Sequence, residues 1–255
     1  MFKKYQHDFS LLWMIAKRDL VTRYNNTYLG FFWTLLQPLF LGGTYYYVFK
    51  YISKIEIPNF FIFLLAGLFP WVWLQSGIAQ SCGSVIGNTG IVKKVKFNRS
   101  ILPMATIVQT GVHFLLCFLI LVIFMLFNGY FPRLNWVIYI PVLLVQQFLL
   151  MLGISFIVSS ANVIYRDLDY IITTMLSILF FFTPIGYSIE NVPESIEKFV
   201  SLNPFTGLIE GWRSIILFNE SPVPYLLIPF LFSLLFLLIG YFIYNKIQKD
   251  FSELL

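Results

Sequence analysis

Six long apolar blocks, separated by short polar connections, dominate this chain of 255 residues. The blocks cover 31–49, 60–82, 101–127, 136–163, 171–187 and 223–245. A helix that crosses a ~30 Å hydrocarbon core needs about 20 mostly apolar residues, whereas a membrane-spanning barrel needs strands of alternating polarity. Because the blocks are uninterrupted, the sequence predicts an all-α integral membrane protein with six transmembrane helices.

The composition disfavours several classes of protein. Only 11% of the residues are charged, against about 25% in soluble domains. The six spans use up most of the length, so no room remains for a soluble catalytic domain. A Gly-x-x-x-x-Gly-Lys-Ser/Thr phosphate loop is absent, and any ATPase must therefore be another chain. Cys82 and Cys117 predict neither a disulfide framework nor a metal site. We expect no removable signal peptide.

The distribution of Lys and Arg predicts the orientation. With the N-terminus in the cytoplasm, 12 of the 17 cations lie inside and 5 outside, which places both termini in the cytoplasm. Residues 5–28 form a predicted amphipathic helix in the interface plane. Residues 190–218 contain two short, half-apolar helices broken at Asn203-Pro204, which suggests an external re-entrant hairpin surrounded by protein or water.

Polar and aromatic residues in the spans leave their roles open. Gln109 and His113, one turn apart, favour a hydrogen-bonded pair between helices over a proton relay, since no predicted span carries a central Asp or Glu. Six neutral residues either bond across helices or line a path for a hydroxyl-rich substrate: Gln37, Gln75, Gln80, Gln146, Gln147 and Asn162. Aromatics, 20% of the chain, either form interfacial belts or stack on sugar rings.

Three motifs closely resemble the transmembrane subunits of polysaccharide ABC exporters of the ABC-2 type. The first is the stretch 18–38, with Arg18-Asp19, Arg23-Tyr24, Leu29-Gly30, Trp33 and Pro38. The others are Tyr165-Arg166-Asp167-Leu168, and Asn203-Pro204 followed by Gly211-Trp212-Arg213. These exporters serve O-antigen, capsule and teichoic acid, and overall similarity favours the O-antigen permeases. The resemblance covers nearly the whole chain, as one transmembrane domain over 1–255.

The resemblance implies a homodimer in the bacterial inner membrane, bound to two copies of a separate ABC ATPase. That partner would bind ATP and Mg²⁺, so this chain would have no cofactor, metal or catalytic residues of its own. The substrate would be a polysaccharide on a polyprenyl diphosphate lipid, carried through a pore at the dimer interface. Nucleic acid is not an expected partner. The hairpin 190–218 would be the outer gate.

Candidate residues fall into three sets. For coupling to the ATPase they are Val92, Lys93, Lys94, Lys96 and Arg99 in one cytoplasmic connection, and Tyr165, Arg166, Asp167 and Asp169 in another. The first connection could equally contact anionic lipid, whereas the alternating charge of the second favours a protein partner. Arg18 and Arg23 are candidates for the lipid diphosphate or for membrane anchoring. The substrate path and gate comprise Trp33, Gln37, Phe181, Phe182, Tyr187, Phe205, Glu210, Trp212 and Arg213.

Three alternatives compete with a polysaccharide exporter. One is an ABC-2 permease for another lipid or drug. Another is an integral membrane enzyme acting on polyprenyl phosphates, which needs clustered carboxylates or histidines near one membrane face. Asp167 and Asp169 form too small a cluster for that. A secondary transporter is disfavoured because intramembrane carboxylates and an internal repeat are missing.

Overall fold

The computed structural model of the protein describes residues 2–24, 32–54, 56–95 and 97–255, and these contain helices but no strand. The α-helices are α1 (Phe2–Tyr24), α2 (Trp33–Tyr47), α3 (Phe60–Cys82), α4 (Thr89–Lys94), α5 (Ile101–Phe127), α6 (Asn135–Ile164), α7 (Leu168–Phe181), α8 (Glu194–Leu202), α9 (Pro204–Arg213), α10 (Val223–Ile247) and α11 (Phe251–Leu254). Single π-helical turns, Val48–Ile52 and Ser214–Phe218, extend α2 and α9. Residues 25–28 and 31, at the predicted ends of the interface helix and first span, lie outside the described residues.

Four of the described helices, α3, α5, α6 and α10, are long and apolar enough to cross a membrane. α7 is a shorter apolar helix of 14 residues. It ends six residues before the predicted block at 171–187 does. The reason is Pro184, because a proline disfavours helical geometry at the residue before it. The chain therefore turns at 182–187 and leaves α7 short.

α3 lies at the centre of the bundle. It contacts α2, α5, α6, α7 and α9, and 78% of its most apolar window is buried. From Phe60 to Leu74 its residues are apolar all round, which is expected of a helix enclosed by other helices. In α10, by contrast, only 17% of the corresponding window is buried. α3 is thus the scaffold on which the other elements are placed.

α6 and α10 cross at very short range because two glycines meet there. A Cβ atom on Gly153 would lie 2.6 Å from the backbone nitrogen of Leu237, and one on Gly240 would lie 2.4 Å from the carbonyl of Gly153. Nearby, the Gln146 amide donates to the hydroxyl of Ser233 at 2.7 Å. Small residues and interhelical hydrogen bonds are the usual means of joining helices in lipid.

α8 and α9 form the predicted pair of short helices, and their junction is stabilised locally. The side chain of Asn203 accepts a hydrogen bond from the N–H of Phe205 at 3.0 Å, which caps α9. Pro204 occupies the first helical position, where its missing N–H costs nothing. Gly207 then brings α9 against α10, since a Cβ there would lie 2.5 Å from the carbonyl of Tyr225.

α1 packs along α5 with part of its surface. Ile15 and Ala16 are buried, while Phe9, Trp13 and Met14 are more than half exposed. A helix that buries one side in protein and leaves large apolar side chains on another suits the headgroup region of a membrane. This arrangement is compatible with the predicted interface helix.

Candidate functional site

The turn between α6 and α7 is rigid in its backbone and open in its side chains. The N–H of Tyr165 donates to the carbonyl of Ala161 at 2.8 Å, and the N–H of Leu168 donates to the carbonyl of Tyr165 at 3.1 Å. Four side chains predicted to contact the ATPase are exposed here: Tyr165, Arg166, Asp167 and Asp169. The four side chains are therefore accessible, and their contact with an ATPase stays a prediction.

The connection between α3 and α5 combines a buried anchor with exposed cations. α4 packs against α11, and Val92 is the buried residue of α4. Lys93 and Lys94 follow it and are exposed. Lys96 lies outside the described residues. Val92 therefore serves to position α4, and the two lysines are the side chains in α4 that remain open to a partner.

Arg99 is engaged with the C-terminal end of the chain. Its guanidinium donates to the carbonyl of Gln248 and lies over the ring of Phe251, 5.8 Å from the centroid. The hydroxyl of Tyr244 donates to the carbonyl of Arg99 at 2.8 Å. Arg99 thus joins the start of α5 to the end of α10, a structural role that its charge alone did not reveal. Its part in docking stays a prediction.

Arg18 links α1 to the connection that contains α4. Its Nη2 donates to Oδ1 of Asp19 at 2.6 Å and to Oδ1 of Asn88 at 2.7 Å. The Arg18 side chain is 44% exposed, so part of the guanidinium remains accessible. The side chain of Arg23 lies outside the described residues. Arg18 therefore connects α1 to the segment that precedes α4, and its contact with a lipid diphosphate stays a prediction.

Trp33 and Gln37 line a cavity of about 320 Å³ between α2, α3 and α5. Both residues were predicted to lie on the substrate path, but their neighbours in the cavity were not predicted. The opposite walls carry Trp73 and Ser76 from α3 and Thr110, His113 and Phe114 from α5. The helical spacing of residues 73 and 76, and of residues 110, 113 and 114, could have shown that each set shares one face of its helix. Spacing does not show which helices face each other.

Phe181, Phe182 and Tyr187 lie together at the end of α7. Phe181 and Phe182 are 68% and 49% exposed. Phe182 makes an edge contact with Phe199 of α8, with the ring centroids 6.3 Å apart. The hydroxyl of Tyr187 donates to the carbonyl of Phe181 at 3.0 Å. The structure therefore joins these residues to the hairpin, but not to the cavity of Trp33 and Gln37.

Arg213 is fully enclosed where the hairpin meets α3. Its side chain is 1% exposed, and it donates to Oε1 of Glu210 at 2.8 Å. Its two terminal nitrogens also donate to the carbonyls of Pro184 and Ile185, at 2.5 and 2.6 Å. Because α7 ends before Pro184, these carbonyls have no helical partner, and a buried unpaired carbonyl is costly. Arg213 thus holds the turn after α7 to the hairpin.

Trp212 and Phe205 are also packed inside. The indole N–H of Trp212 donates to Oε1 of Gln147 at 2.8 Å, and the amide of Gln147 donates to the carbonyl of Pro70 at 2.8 Å. Phe205 makes an edge contact with Trp71, with centroids 5.9 Å apart. Of the predicted gate residues, Phe205, Trp212 and Arg213 therefore fasten the hairpin to the bundle.

No group of three or more His, Cys, Asp or Glu side chains that could hold a metal ion occurs within the described ranges. The exposed charged residues of the α6–α7 turn are close in sequence, and their side chains do not form a cluster.

The chain is similar in sequence to known transport proteins along most of its length. A profile of the ABC-2 type transporter family matches residues 10–217. The O-antigen export system permease protein RfbA of Klebsiella pneumoniae is 34% identical over 247 residues, 97% of this chain and 95% of the relative. The protein of the same name from Myxococcus xanthus is 28% identical over 84% of this chain and 82% of its own. The polysialic acid transport protein KpsM of Escherichia coli is 26% identical over 78% of each chain.

The family match covers most of the chain, and the alignment with the Klebsiella permease extends over nearly all of both proteins. The resemblance found in the motifs around Arg18, Arg166 and Trp212 is thereby confirmed. The chain therefore belongs to the ABC-2 type transporter family, as a membrane-embedded transport subunit.

Proposed function

We propose that this chain is the permease of an ATP-driven exporter that moves a polyprenyl-diphosphate-linked polysaccharide out of the cytoplasm. The first candidate for this polysaccharide is O-antigen. The main support for this proposal is the 34% identity with a permease named for O-antigen export, over 97% of this chain. An alignment of that extent includes the cytoplasmic turn, the cavity and the hairpin alike. The similarity is thus not confined to a generic apolar helix pair.

The proposed topology has six crossings in the inner membrane with both termini in the cytoplasm. The crossings are α2 with its π-helical extension, α3, α5, α6, α7 and α10. α7 has 14 residues and spans about 21 Å at ~1.5 Å per residue, which is short of a ~30 Å core. The turn at 182–187 and the re-entrant hairpin complete this crossing, and Arg213 supplies the hydrogen bonds that a non-helical backbone needs at that depth.

The pore is proposed to form between two copies of the chain, along the open faces of α2 and α7. α7 exposes Thr173, Thr174 and Ser177. Each hydroxyl donates to the carbonyl four residues earlier, at 2.8 to 2.9 Å, which leaves the hydroxyl oxygen as an acceptor. α10, in contrast, exposes apolar side chains such as Leu231 and Phe242. A hydroxyl-bearing face suits a sugar chain, and an apolar face suits lipid.

Two copies of a separate ATPase are proposed to bind the exposed α6–α7 turn and the lysines of α4. ATP and Mg²⁺ would reside in those subunits. Arg18 is proposed to meet the lipid diphosphate, because a guanidinium pairs bidentately with phosphate oxygens. Its hydrogen bond to Asn88 would then report the presence of the lipid to the segment that precedes α4.

The first test is purification of the tagged chain from native membranes in mild detergent. We expect an ATPase subunit in equal amount and ATP hydrolysis by the complex. Recovery of the chain alone, with no ATPase in the membranes that binds it, would contradict the proposal. A variant with both Arg166 and Asp167 changed to alanine serves as the matched control for specific docking.

The second test is deletion of the gene followed by complementation. We expect loss of surface O-antigen and accumulation of the lipid-linked polymer inside the cell, both reversed by the wild-type chain. A capsular polymer is the second candidate, since KpsM is 26% identical over 78% of the chain. Which polymer accumulates decides between them, and accumulation of neither contradicts polysaccharide export.

A further inference from the structure

The cavity between α2, α3 and α5 adjoins the proposed pore face of α2 and has walls of its own from α3 and α5. It holds about 320 Å³, at the low end of the ~300–1,000 Å³ of small-molecule pockets. It shares Leu41 of α2 with the smaller pocket next to Phe181, but the two are lined by different residues of α3. Its size suits one or two small rings rather than a polymer.

One wall of the cavity is aromatic and rigid. Trp73 stacks on Phe114 with the centroids 4.9 Å apart and the planes inclined by 16°. The indole N–H of Trp73 donates to the carbonyl of Ile107 at 3.3 Å. Gly111 permits this fit, because a Cβ there would lie 3.3 Å from the indole ring. The indole is therefore held in one orientation before any ligand arrives.

The remaining walls offer neutral hydrogen-bonding groups. The hydroxyl of Thr110 donates to the carbonyls of Thr106 and Ile107, both at 3.0 Å, and that of Ser76 donates to the carbonyl of Trp73 at 3.2 Å. With their protons committed, these hydroxyl oxygens face the cavity as acceptors. Gln37 adds an amide, which both donates and accepts.

The wall carries no permanently charged side chain. Among the described residues, no Lys, Arg, Asp or Glu lines the cavity, and His113 is its one basic side chain. A diphosphate, with more than one negative charge, would therefore enter without a full set of counter-ions, which is unfavourable in a low-dielectric site. An acyl or isoprenoid chain would bury Gln37, Ser76 and Thr110 without giving them hydrogen bonds. A diphosphate and a purely aliphatic ligand both fit the lining poorly.

We propose that this cavity binds a neutral sugar ring. The apolar face of a pyranose would lie on the fixed aromatic wall, and its hydroxyl groups would donate to Thr110 and Ser76 and exchange hydrogen bonds with Gln37. The cavity shares Gln80 with a cleft between α1 and α3 that also contains Asp19 and Asn88, the partners of Arg18. The inference rests on the proposed function, which supplies sugar rings attached to a diphosphate.

The test uses the permease–ATPase complex in lipid nanodiscs and a panel of methyl glycosides of glucose, galactose, mannose and N-acetylglucosamine. Saturation-transfer NMR reports binding of each sugar without any need for transport. We expect at least one glycoside to bind, and Gln37→Leu and Thr110→Val to weaken it about three- to tenfold each, the loss of one hydrogen bond. Thr44→Val is the control, since Thr44 lies on α2 outside the cavity and bonds the Phe40 carbonyl.

A second readout requires no variant. Cys117 lines the cavity, whereas Cys82 donates to the carbonyl of Val158 and lies elsewhere. The bound glycoside should slow maleimide labelling of Cys117, measured by mass spectrometry, and leave the labelling of Cys82 unchanged. Equal effects on both cysteines, or none, would overturn the assignment. Competition with lipid-linked polymer extracted from the cells identifies the source: displacement indicates the exported chain, and no displacement indicates a free sugar.

The two proposals fail in different ways. If no glycoside binds while the chain restores surface polysaccharide, the cavity is not a sugar site and polysaccharide export stands. If a glycoside binds and the deletion strain keeps all its surface polymers, the sugar site stands and the export proposal fails. Equal binding by the wild type, Gln37→Leu and Thr110→Val places the sugar elsewhere and overturns the inference.

Discussion

The guanidinium of Arg213 lies 3.7 Å from the centre of the Phe63 ring. The same side chain donates to the carbonyl of Phe63 at 3.4 Å, so ring and backbone of one α3 residue both contact it. A cation over an aromatic face gains most where water is excluded. Arg213 therefore connects the hairpin, the turn after α7 and the central helix at one point.

Replacing Arg213 by methionine should destabilise the protein strongly. The change removes the donors for the carbonyls of Pro184 and Ile185, and each buried acceptor left unpaired costs about 1–3 kcal/mol. Thermal unfolding of the detergent-solubilised protein should show a clearly lower midpoint. Arg133→Met, at an exposed arginine, is the matched control and should leave the midpoint in place. Equal midpoints for both variants would contradict the anchoring role.

Gly67→Ala should be harmful because of the same arginine. The new Cβ would lie 2.9 Å from Nη2 of Arg213, which cannot retreat while it is held by several acceptors. Overpacking of this kind costs about 1–3 kcal/mol. Gly43→Ala meets nothing within 4 Å and gains helix propensity of about 0.5–1 kcal/mol. The unfolding midpoints of the two variants should therefore move in opposite directions, and a shared direction would refute the account.

Trp212 and Gln147 should behave as a coupled pair. Trp212→Phe leaves Oε1 of Gln147 without its donor, and Gln147→Leu leaves the indole N–H without its acceptor. Each single change should cost about 1–3 kcal/mol, while the double variant should cost less than their sum, because neither partner of the Trp212–Gln147 bond is then left unpaired. The carbonyl of Pro70 loses the Gln147 donor in both Gln147 variants, so that loss does not affect the coupling. A double-mutant cycle on the unfolding midpoint measures this. Strict additivity would show that the hydrogen bond contributes nothing.

Reversing the charges at Arg166 and Asp167 should uncouple ATP hydrolysis from export. Both side chains are exposed, so the fold should tolerate the change, while the contact with the ATPase should not. ATPase activity of the complex and surface polymer are measured together. The control reverses Glu194 and Lys198, an exposed pair on α8. Unchanged export in the Arg166 and Asp167 variant would remove this turn from the coupling scheme.

Arg99 and Lys93 should separate, although both belong to one cationic segment. Arg99→Ala breaks the contacts to Gln248 and Phe251 and should lower the unfolding midpoint. Lys93→Ala changes an exposed cation and should leave the midpoint unaltered while weakening binding of the ATPase. Unfolding and co-purification assays on each variant test both halves. A stability loss in Lys93→Ala equal to that in Arg99→Ala would show that the two residues are not divided in this way.

The apolar blocks were readable in the sequence because lipid imposes both length and hydrophobicity on a spanning helix. α5 occupies Ile101–Phe127 and α3 occupies Phe60–Cys82, the same residues as the predicted blocks. The break at Asn203-Pro204 was readable for an equally local reason, since Pro204 starts a helix well and Asn203 caps it. The family, too, could be identified from short motifs of the linear chain.

The fate of individual polar residues was decided by the tertiary structure. Arg18, Arg99 and Arg213 are all arginines near predicted helix ends, yet the first bonds Asn88, the second bonds the C-terminal segment, and the third is enclosed by α3 and the hairpin. The cavity of Trp33, Gln37 and Trp73 likewise exists because α2, α3 and α5 meet there. Length and hydrophobicity are properties of one segment, whereas a buried charge or a cavity depends on which segments pack together, and local sequence does not specify that.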